Sequence, residues 1–573
     1  MSTAPSALSL AWLVALTACA GSPSEGSAEP ALPPRAPVAQ VLTSEPRLLS
    51  MIGTNDLHGR IARLPALGAY VARLRALRAS DGGVLLLDAG DMFQGTIESN
   101  SNEGRAVVAA YNALGYTAAA VGNHDFDYGP SGEGLPAPGA DPRGALRARL
   151  EEAAFPMLSA NLVDQASGRL PELHNLAGGA LVEVAGVKVG LVGAITHETP
   201  NIVLPAYFAG LDVTPLAAAI ESEARSLRAR GARIVVAITH AGGVCQRFDD
   251  PDDVSACAPH EEIQGVVRAL APGSVDAVFA GHTHQGMAHR IAGVPVLEAY
   301  AYGRAFSRID FRVPAAPDAR AEVVIFPPRD LCSDPKAAQC TLPSYEGATL
   351  QEDSAVRDIV EPYLRSAEQQ KRERLGVTLT REARQEFKTE SPLGNLLTDL
   401  LRGGAPDADV AVLNGGGLRA ALPAGELTYG QLYECQPFDN RLARVRLSGA
   451  ELRDAIALHL ARDRHGIVSL SGIAVDARCE RGKLSVRLRR QSGRLVRDDE
   501  ALTVVTSDYL ATGGDELFSG KGVTLEVTTV RDALAEAFRR RGGSIDPEDR
   551  RAFDPKAPRL RLPGPRPLRC PAP

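Results

Sequence analysis

Five short strings of acid, amide and imidazole side chains carry the chemistry of this chain: Asp56-Leu57-His58, Gly90-Asp91, Gly122-Asn123-His124-Asp125, Thr239-His240 and Gly281-His282-Thr283-His284. Carboxylate, carboxamide and imidazole without thiolate form a hard-to-borderline donor set that accepts Zn, Mn, Fe or Co. Asp56, His58 and His284 suffice for one divalent ion, and Asn123, His240 and His282 for a second. Asp91, alone after its apolar run, suits a bridge between them. Two ions about 3.5 to 4 Å apart lower the pKa of a bound water and clamp the entering and leaving oxygens of an in-line displacement, so the chemistry expected is hydrolysis of a phosphate ester. Five of the eleven histidines fall in these strings. The other six, His174, His197, His260, His289, His459 and His465, read as structural or surface residues, with His197 the nearest to an exception. Asp125 reads as a surface residue beside the others.

Convergence of such distant residues needs a scaffold. Each string follows an apolar run of strand length, over 48–53, 84–87, 118–121, 234–238 and 277–280, with another at 187–194 before His197. These runs read as strands buried on both faces. Helical stretches alternate with them, which points to an open α/β sheet whose ligands gather at the carboxyl ends of its strands. A break at 327–344 precedes a charged stretch, 354–375, with apolar residues at helical spacing (Val356, Ile359, Val360, Tyr363, Leu364).

The strings Thr54-Asn55-Asp56-Leu57-His58-Gly59, Asp88-Ala89-Gly90-Asp91, Gly122 to Asp127 and Gly281 to His284 resemble those of calcineurin-like metallophosphoesterases, and more narrowly the 5'-nucleotidase family, from about Leu48 onward. The resemblance implies the ligand assignment above. It also implies a catalytic pair, His124 stabilising the phosphorus transition state and Asp127 orienting it. The fold class implied is α/β, a four-layer α/β/β/α metallophosphoesterase domain followed by a smaller α+β substrate-binding domain joined by a helix. The expected boundaries are 1–18 signal peptide, 19–46 tether, 47–330 catalytic domain, 331–375 linker and connecting helix, 376–562 C-terminal domain and 563–573 tail.

In the second half, the run 408–413 enters Asn414-Gly415-Gly416-Gly417-Leu418-Arg419, where glycines admit a ligand close to the backbone and Arg419 offers a planar fork for an anion. Pro437-Phe438-Asp439-Asn440 and the string Asp508 to Asp515 match the family's C-terminal motifs in order. By that resemblance Phe438 and Tyr509 sandwich a nucleobase, Asp515 accepts from ribose hydroxyls, and Asn414 and Gly416 contact the nucleoside. The chain departs from the family before Leu393-Gly394-Asn395, where Phe387 stands in place of a phosphate-gripping arginine and Arg384 or Lys388 is left as the substitute.

Residues 7–16 form an apolar run too short to span a bilayer but suited to a signal peptide, and no Lys or Arg precedes it. Leu16-Thr17-Ala18-Cys19 resembles a bacterial lipobox, which would make Cys19 the lipidated residue of an exported protein of the periplasm or cell envelope, anchored at the outer membrane. The following Ser, Pro and Ala-rich stretch suits a tether. Of the remaining cysteines, Cys245/Cys257 and Cys332/Cys340 are expected disulfides, Cys479/Cys570 a looser pairing, and Cys435 free and buried. A net charge of -7 on 573 residues, 45% of them hydrophobic, argues against general nucleic-acid binding and for a chain able to bury two cores. Contact with a membrane is expected only through the anchor. The function expected is removal of phosphate from 5'-nucleotides by attack of a metal-activated hydroxide. The rivals are hydrolysis of nucleotide sugars, 2',3'-cyclic nucleotides or a sulfur ester, and nucleotide binding without catalysis.

Overall fold

Runs such as Ile234-Val235-Val236-Ala237-Ile238 have no polar face, so they are stable as strands only where both faces are covered. The computed structural model describes residues 45–573 except 133–136, 138, 317, 336–339, 463–465, 519–521 and 571–573. In it the six runs become parallel central strands of two sheets. The first sheet carries β1 (Arg47–Thr54), β2 (Gly82–Asp88) and β3 (Ala118–Ala120) side by side, in register Leu87 with Gly53 and Ala118. The second carries β4 (Val187–Ile195), β5 (Ile234–His240) and β6 (Ala277–Ala280).

The two sheets face each other across Leu49, Met51, Leu85, Leu87, Val189, Val236, Ile238 and Phe279, all buried. Outside the first sheet lie α1 (Leu64–Arg78) and α2 (Arg105–Leu114), packed by Leu67, Tyr70, Val107 and Tyr111. Outside the second lie α3 (Leu216–Ala229) and α4 (Glu262–Ala269), packed by Ile220, Leu227, Ile263 and Val267. The order is helix, sheet, sheet, helix.

Helix α5 (Ser354–Lys371) follows, started by the Asp353 carboxylate, which accepts from the amides of Ala355 and Val356. Val356 and Val360 enter the first core and Ala367 the second. The helix stops short of the expected end at 375, because Leu375, Val377 and Leu379 alternate buried with exposed residues and form the strand Arg374–Leu379. Beyond it a mixed five-stranded sheet holds β7 (Val410–Leu413), β8 (Arg441–Ser448) and β9 (Ala501–Ser507) at its centre. One face is covered by α6 (Pro392–Gly404) and α7 (Val530–Arg541), which is an α+β arrangement.

Cys245–Cys257, Cys332–Cys340 and Cys479–Cys570 are disulfides, and Cys435 is free and buried. Among the described residues no helix is long and apolar enough to cross a membrane. Cys19 lies outside the described residues.

Candidate active site

Parallel strands end at one edge, and there both sheets deliver their polar strings. Asp56 and His58 follow β1, Asp91 follows β2, Asn123 follows β3, His240 ends β5, and His282 and His284 follow β6. Five of the seven, Asp56, His58, Asp91, His282 and His284, hold a left-handed backbone with φ between 48 and 79°. That conformation is costly for a side chain with a Cβ and persists where surrounding structure imposes it. Gly122 permits a close approach: a Cβ there would sit 2.1 Å from Asp91 Oδ1 and 2.3 Å from the Asp91 amide nitrogen. We expect Gly122→Ala to lower stability by about 1 to 3 kcal/mol in thermal unfolding, with metal content falling too; an unchanged Tm would mean the turn yields easily.

The side chains form two groups. In one, His58 Nε2 lies 3.1 Å from His284 Nε2, and His284 Nε2 lies 3.3 Å from Asp56 Oδ1. In the other, His240 Nε2 lies 3.1 Å from both Asp91 Oδ2 and Asn123 Oδ1, with the His282 ring 5.1 Å from that of His240. Asp91 Oδ2 stands between the groups, 3.8 Å from His58 Nε2, buried and without a hydrogen bond. His58 and His240 turn their Nδ1 atoms outward to the carbonyls of Gln94 and Ala89, both at 2.8 Å, and so aim Nε2 inward. Backbone carbonyls fixing the outer nitrogen while the inner one faces carboxylates are the supports expected of metal-ligating imidazoles. These residues fit divalent cations, and the buried Oδ2 of Asp91 is the observation that tests the fit.

Electrostatics agree. Burial alone would raise the carboxyl of Asp56 and of Asp91, yet neighbouring imidazoles hold both well below the usual range, so both stay ionised. Burial alone would lower His240, yet the charge of Asp91 pushes it up to about 10. His282 falls to about 4, through burial first and His240 second.

His124 sits at the rim. Its amide donates to Asp91 Oδ1 at 2.8 Å, and its Nδ1 lies 2.6 Å from Asp127 Oδ2. Burial lowers its affinity for a proton, but the carboxylates of Asp127 and Asp91 outweigh this and raise it. Asp125 is not the surface residue expected from sequence. It is buried, its oxygens accept from the amides of Met92 and Gly122, and burial pushes its carboxyl up to about 8. It ties the third string to the second.

A cavity of about 250 Å³ opens over this centre, lined by Asp91, Asn123, His124, His282 and His284. It is lined as well by Asn414, Gly416, Arg419, Phe438, Tyr509 and Asp515, so every residue expected to contact substrate lines it. The Phe438 ring is 5.4 Å from that of His124, and the Arg419 guanidinium is 5.9 Å from Phe438. The Tyr509 hydroxyl lies 2.6 Å from Asp515 Oδ1. Phe387 lines the same cavity and is 49% exposed. Arg384 does not replace the missing arginine, since its guanidinium pairs with Glu548 at 2.7 Å. His197 stays outside the centre and pairs with Glu262.

Three supporting residues were not among the expected site residues, and of these only Asn55 lies within one of the strings. Glu298, fully buried, accepts from the Thr283 hydroxyl at 2.6 Å and the Gly243 amide at 3.0 Å and so braces two ligand loops. Asn55 donates to Asp56 Oδ2 at 2.7 Å. Gln94 supports His58 through its carbonyl and reaches the Pro437 carbonyl through its side chain at 2.9 Å. Glu298 and the side chain of Gln94 act on loops distant in sequence, whereas Asn55 acts beside the ligand it supports.

Comparison with known proteins matches two separate stretches of the chain. The sequence profile of the calcineurin-like phosphoesterases matches residues 50–286, and that of the 5'-nucleotidase C-terminal domain matches 370–520. The chain is 26% identical to endonuclease YhcR of Bacillus subtilis over 492 residues, which is 81% of this chain but only 37% of that longer protein. It is 25% identical over 519 residues to a 5'-nucleotidase of Vibrio cholerae, covering 84% of this chain and 87% of that one. The crystal structure of a 5'-nucleotidase precursor from Thermus thermophilus superposes with a TM-score of 0.67 at 23% identity, over 90% of this chain and 99% of that one. With both profiles placed on the two halves that build the cavity, the chain belongs to the 5'-nucleotidase family and is a metal-dependent phosphoesterase.

Proposed function

We propose that this enzyme removes the phosphate of 5'-nucleotides at a centre of two divalent ions, held by Asp56, His58 and His284 on one side and Asn123, His240 and His282 on the other, with Asp91 shared. The observation that carries the reading is the single cavity lined by Asp91, Asn123, His282 and His284 together with Phe438, Tyr509 and Arg419. Ions bound there would supply Lewis acidity to the phosphoryl oxygens and a water acidic enough to react near neutral pH. His124, whose affinity for a proton Asp127 and Asp91 raise, would place positive charge where negative charge develops at phosphorus. Arg419 offers a planar fork to the phosphate, Phe438 and Tyr509 stack on the base, and Asn414, Gly416 and Asp515 take up the nucleoside. In this reading residues 47–330 do the chemistry, 376–562 present the substrate, and 331–375 join them. Export and an anchor at Cys19 complete it, supported by the string at 16–19 and by three disulfides, which suit an oxidising compartment.

The test is phosphate release by residues 20–573 from AMP, UDP-glucose, 2',3'-cyclic AMP and p-nitrophenyl phosphate, with Mn or Zn and with chelator. Metal-dependent release from AMP well above the aryl ester is expected. Activity on the aryl ester alone would sink the nucleotide reading, and preference for UDP-glucose or the cyclic nucleotide would move it to those substrates. Phe438→Ala and Tyr509→Ala should each raise KM for AMP about tenfold, the order of one base-aromatic stack, while turnover of the aryl ester persists.

A further inference from the structure

The segment 436–438, a loop of the second domain, pairs with no strand. Its three carbonyls must therefore find partners elsewhere. Those of Gln436 and Phe438 both accept from Arg531 Nη1, at 3.2 and 3.1 Å. That of Pro437, between them, accepts from Gln94 Nε2 at 2.9 Å and Asn100 Nδ2 at 3.0 Å on the catalytic domain. The Phe438 ring is carried into the cavity on the piece so held.

Arg531 is unusually well fixed for this task. It sits in the first turn of α7, is 4% exposed, and has its guanidinium 3.8 Å from the centre of the Tyr433 ring. Its Nε donates to the Tyr429 hydroxyl at 3.2 Å, and its Nη2 pairs with the Asp439 carboxylate. A planar donor with each edge engaged cannot rotate, so the two carbonyls it binds are set at a fixed spacing. Lysine carries three donors on one flexible nitrogen, so it cannot hold both carbonyls, the Tyr429 hydroxyl and the Asp439 carboxylate at once, and it has no plane to lay on Tyr433.

We propose that Arg531 is a positioning residue for nucleotide binding, which touches no substrate but fixes the orientation of the Phe438 ring. This rests on the reading that Phe438 stacks on the base. The test uses residues 20–573 with metal present and compares Arg531→Lys, Phe438→Ala and the double variant by KM and kcat for AMP. Thermal unfolding is followed in parallel. The expected result is a KM about tenfold higher in Arg531→Lys with kcat within about twofold. The double variant should then be no worse than Phe438→Ala alone, because removing the ring removes what Arg531 positions. Should the lysine variant prove unfolded, Arg531→Gln, which keeps a donor to one carbonyl, serves instead.

An unchanged KM in a folded Arg531 variant, or additive effects in the double variant, would overturn the inference while leaving the nucleotidase reading intact. An equal fall in kcat and rise in KM tracking lost stability would reduce Arg531 to a structural role and overturn it too. If Phe438→Ala itself leaves KM for AMP unchanged, the base-stacking reading falls and the inference falls with it.

Discussion

Asp91→Ala is expected to abolish hydrolysis of every phosphate ester, with kcat reduced by more than about 1,000-fold and metal content falling below one ion per chain. Removal of a single electrostatic stabiliser commonly costs about 100- to 1,000-fold, and Asp91 serves three groups at once. Its Oδ2 faces His240 at 3.1 Å and His58 at 3.8 Å, one from each ligand group, while its Oδ1 holds the amide of His124. Asp91→Asn separates charge from shape, because the amide oxygen can still accept from His124 while the negative charge between the imidazoles is gone. Both variants should be assayed for elemental content and for p-nitrophenyl phosphate turnover, which needs no stacking of a base. Activity within tenfold of the wild type, or two ions retained, would remove Asp91 from the bridging position.

The second large effect lies at His124, outside the ligand groups. His124→Gln should lower kcat by about 100- to 1,000-fold with metal content unchanged, as expected for loss of a fixed donor at the transition state. Asp127→Asn should be milder but should change the pH profile. The carboxylates of Asp127 and Asp91 raise His124 above its ordinary value, so the active imidazolium survives to higher pH. Without the Asp127 charge that value drops, and the alkaline limb of kcat/KM moves to lower pH. A limb that stays in place, or moves upward, would show that another group titrates there.

The meeting of the five strings was legible because each places polar residues at the end of an apolar run, and parallel strands leave few places for such residues except a common edge. The strands expected at 234–238 and 277–280 form with little change, as Ile234–His240 and Ala277–Ala280. Legibility ended where a residue's role depends on the opposite side of the fold. Asp125 has the composition of a surface turn, and only the amides of Met92 and Gly122 make it an internal brace. Glu298 and Arg531 lie in a strand and a helix with no motif around them, and act on loops distant in sequence. The helix end near residue 371 was blurred because Leu375 continues an apolar pattern whose period changes from helix to strand at that point. Where the family expects an arginine, sequence could show Phe387 but not that Arg384 is occupied with Glu548.

The proposed ligands are divided between the sheets: Asp56, Asp91 and Asn123 extend from the first, His240 and His282 from the second. Ions shared by both would act as rivets at the open edge of the sandwich, where the apolar filling between the sheets gives way to polar side chains. Ligand present at 100 times its dissociation constant stabilises the state that binds it by about 2.7 kcal/mol, a sizeable share of the margin by which a domain stays folded. Metal supply would then govern the enzyme's durability as well as its turnover. Copies starved of cations would be removed by proteolysis sooner than loaded ones, so that the surviving population is enriched in working enzyme.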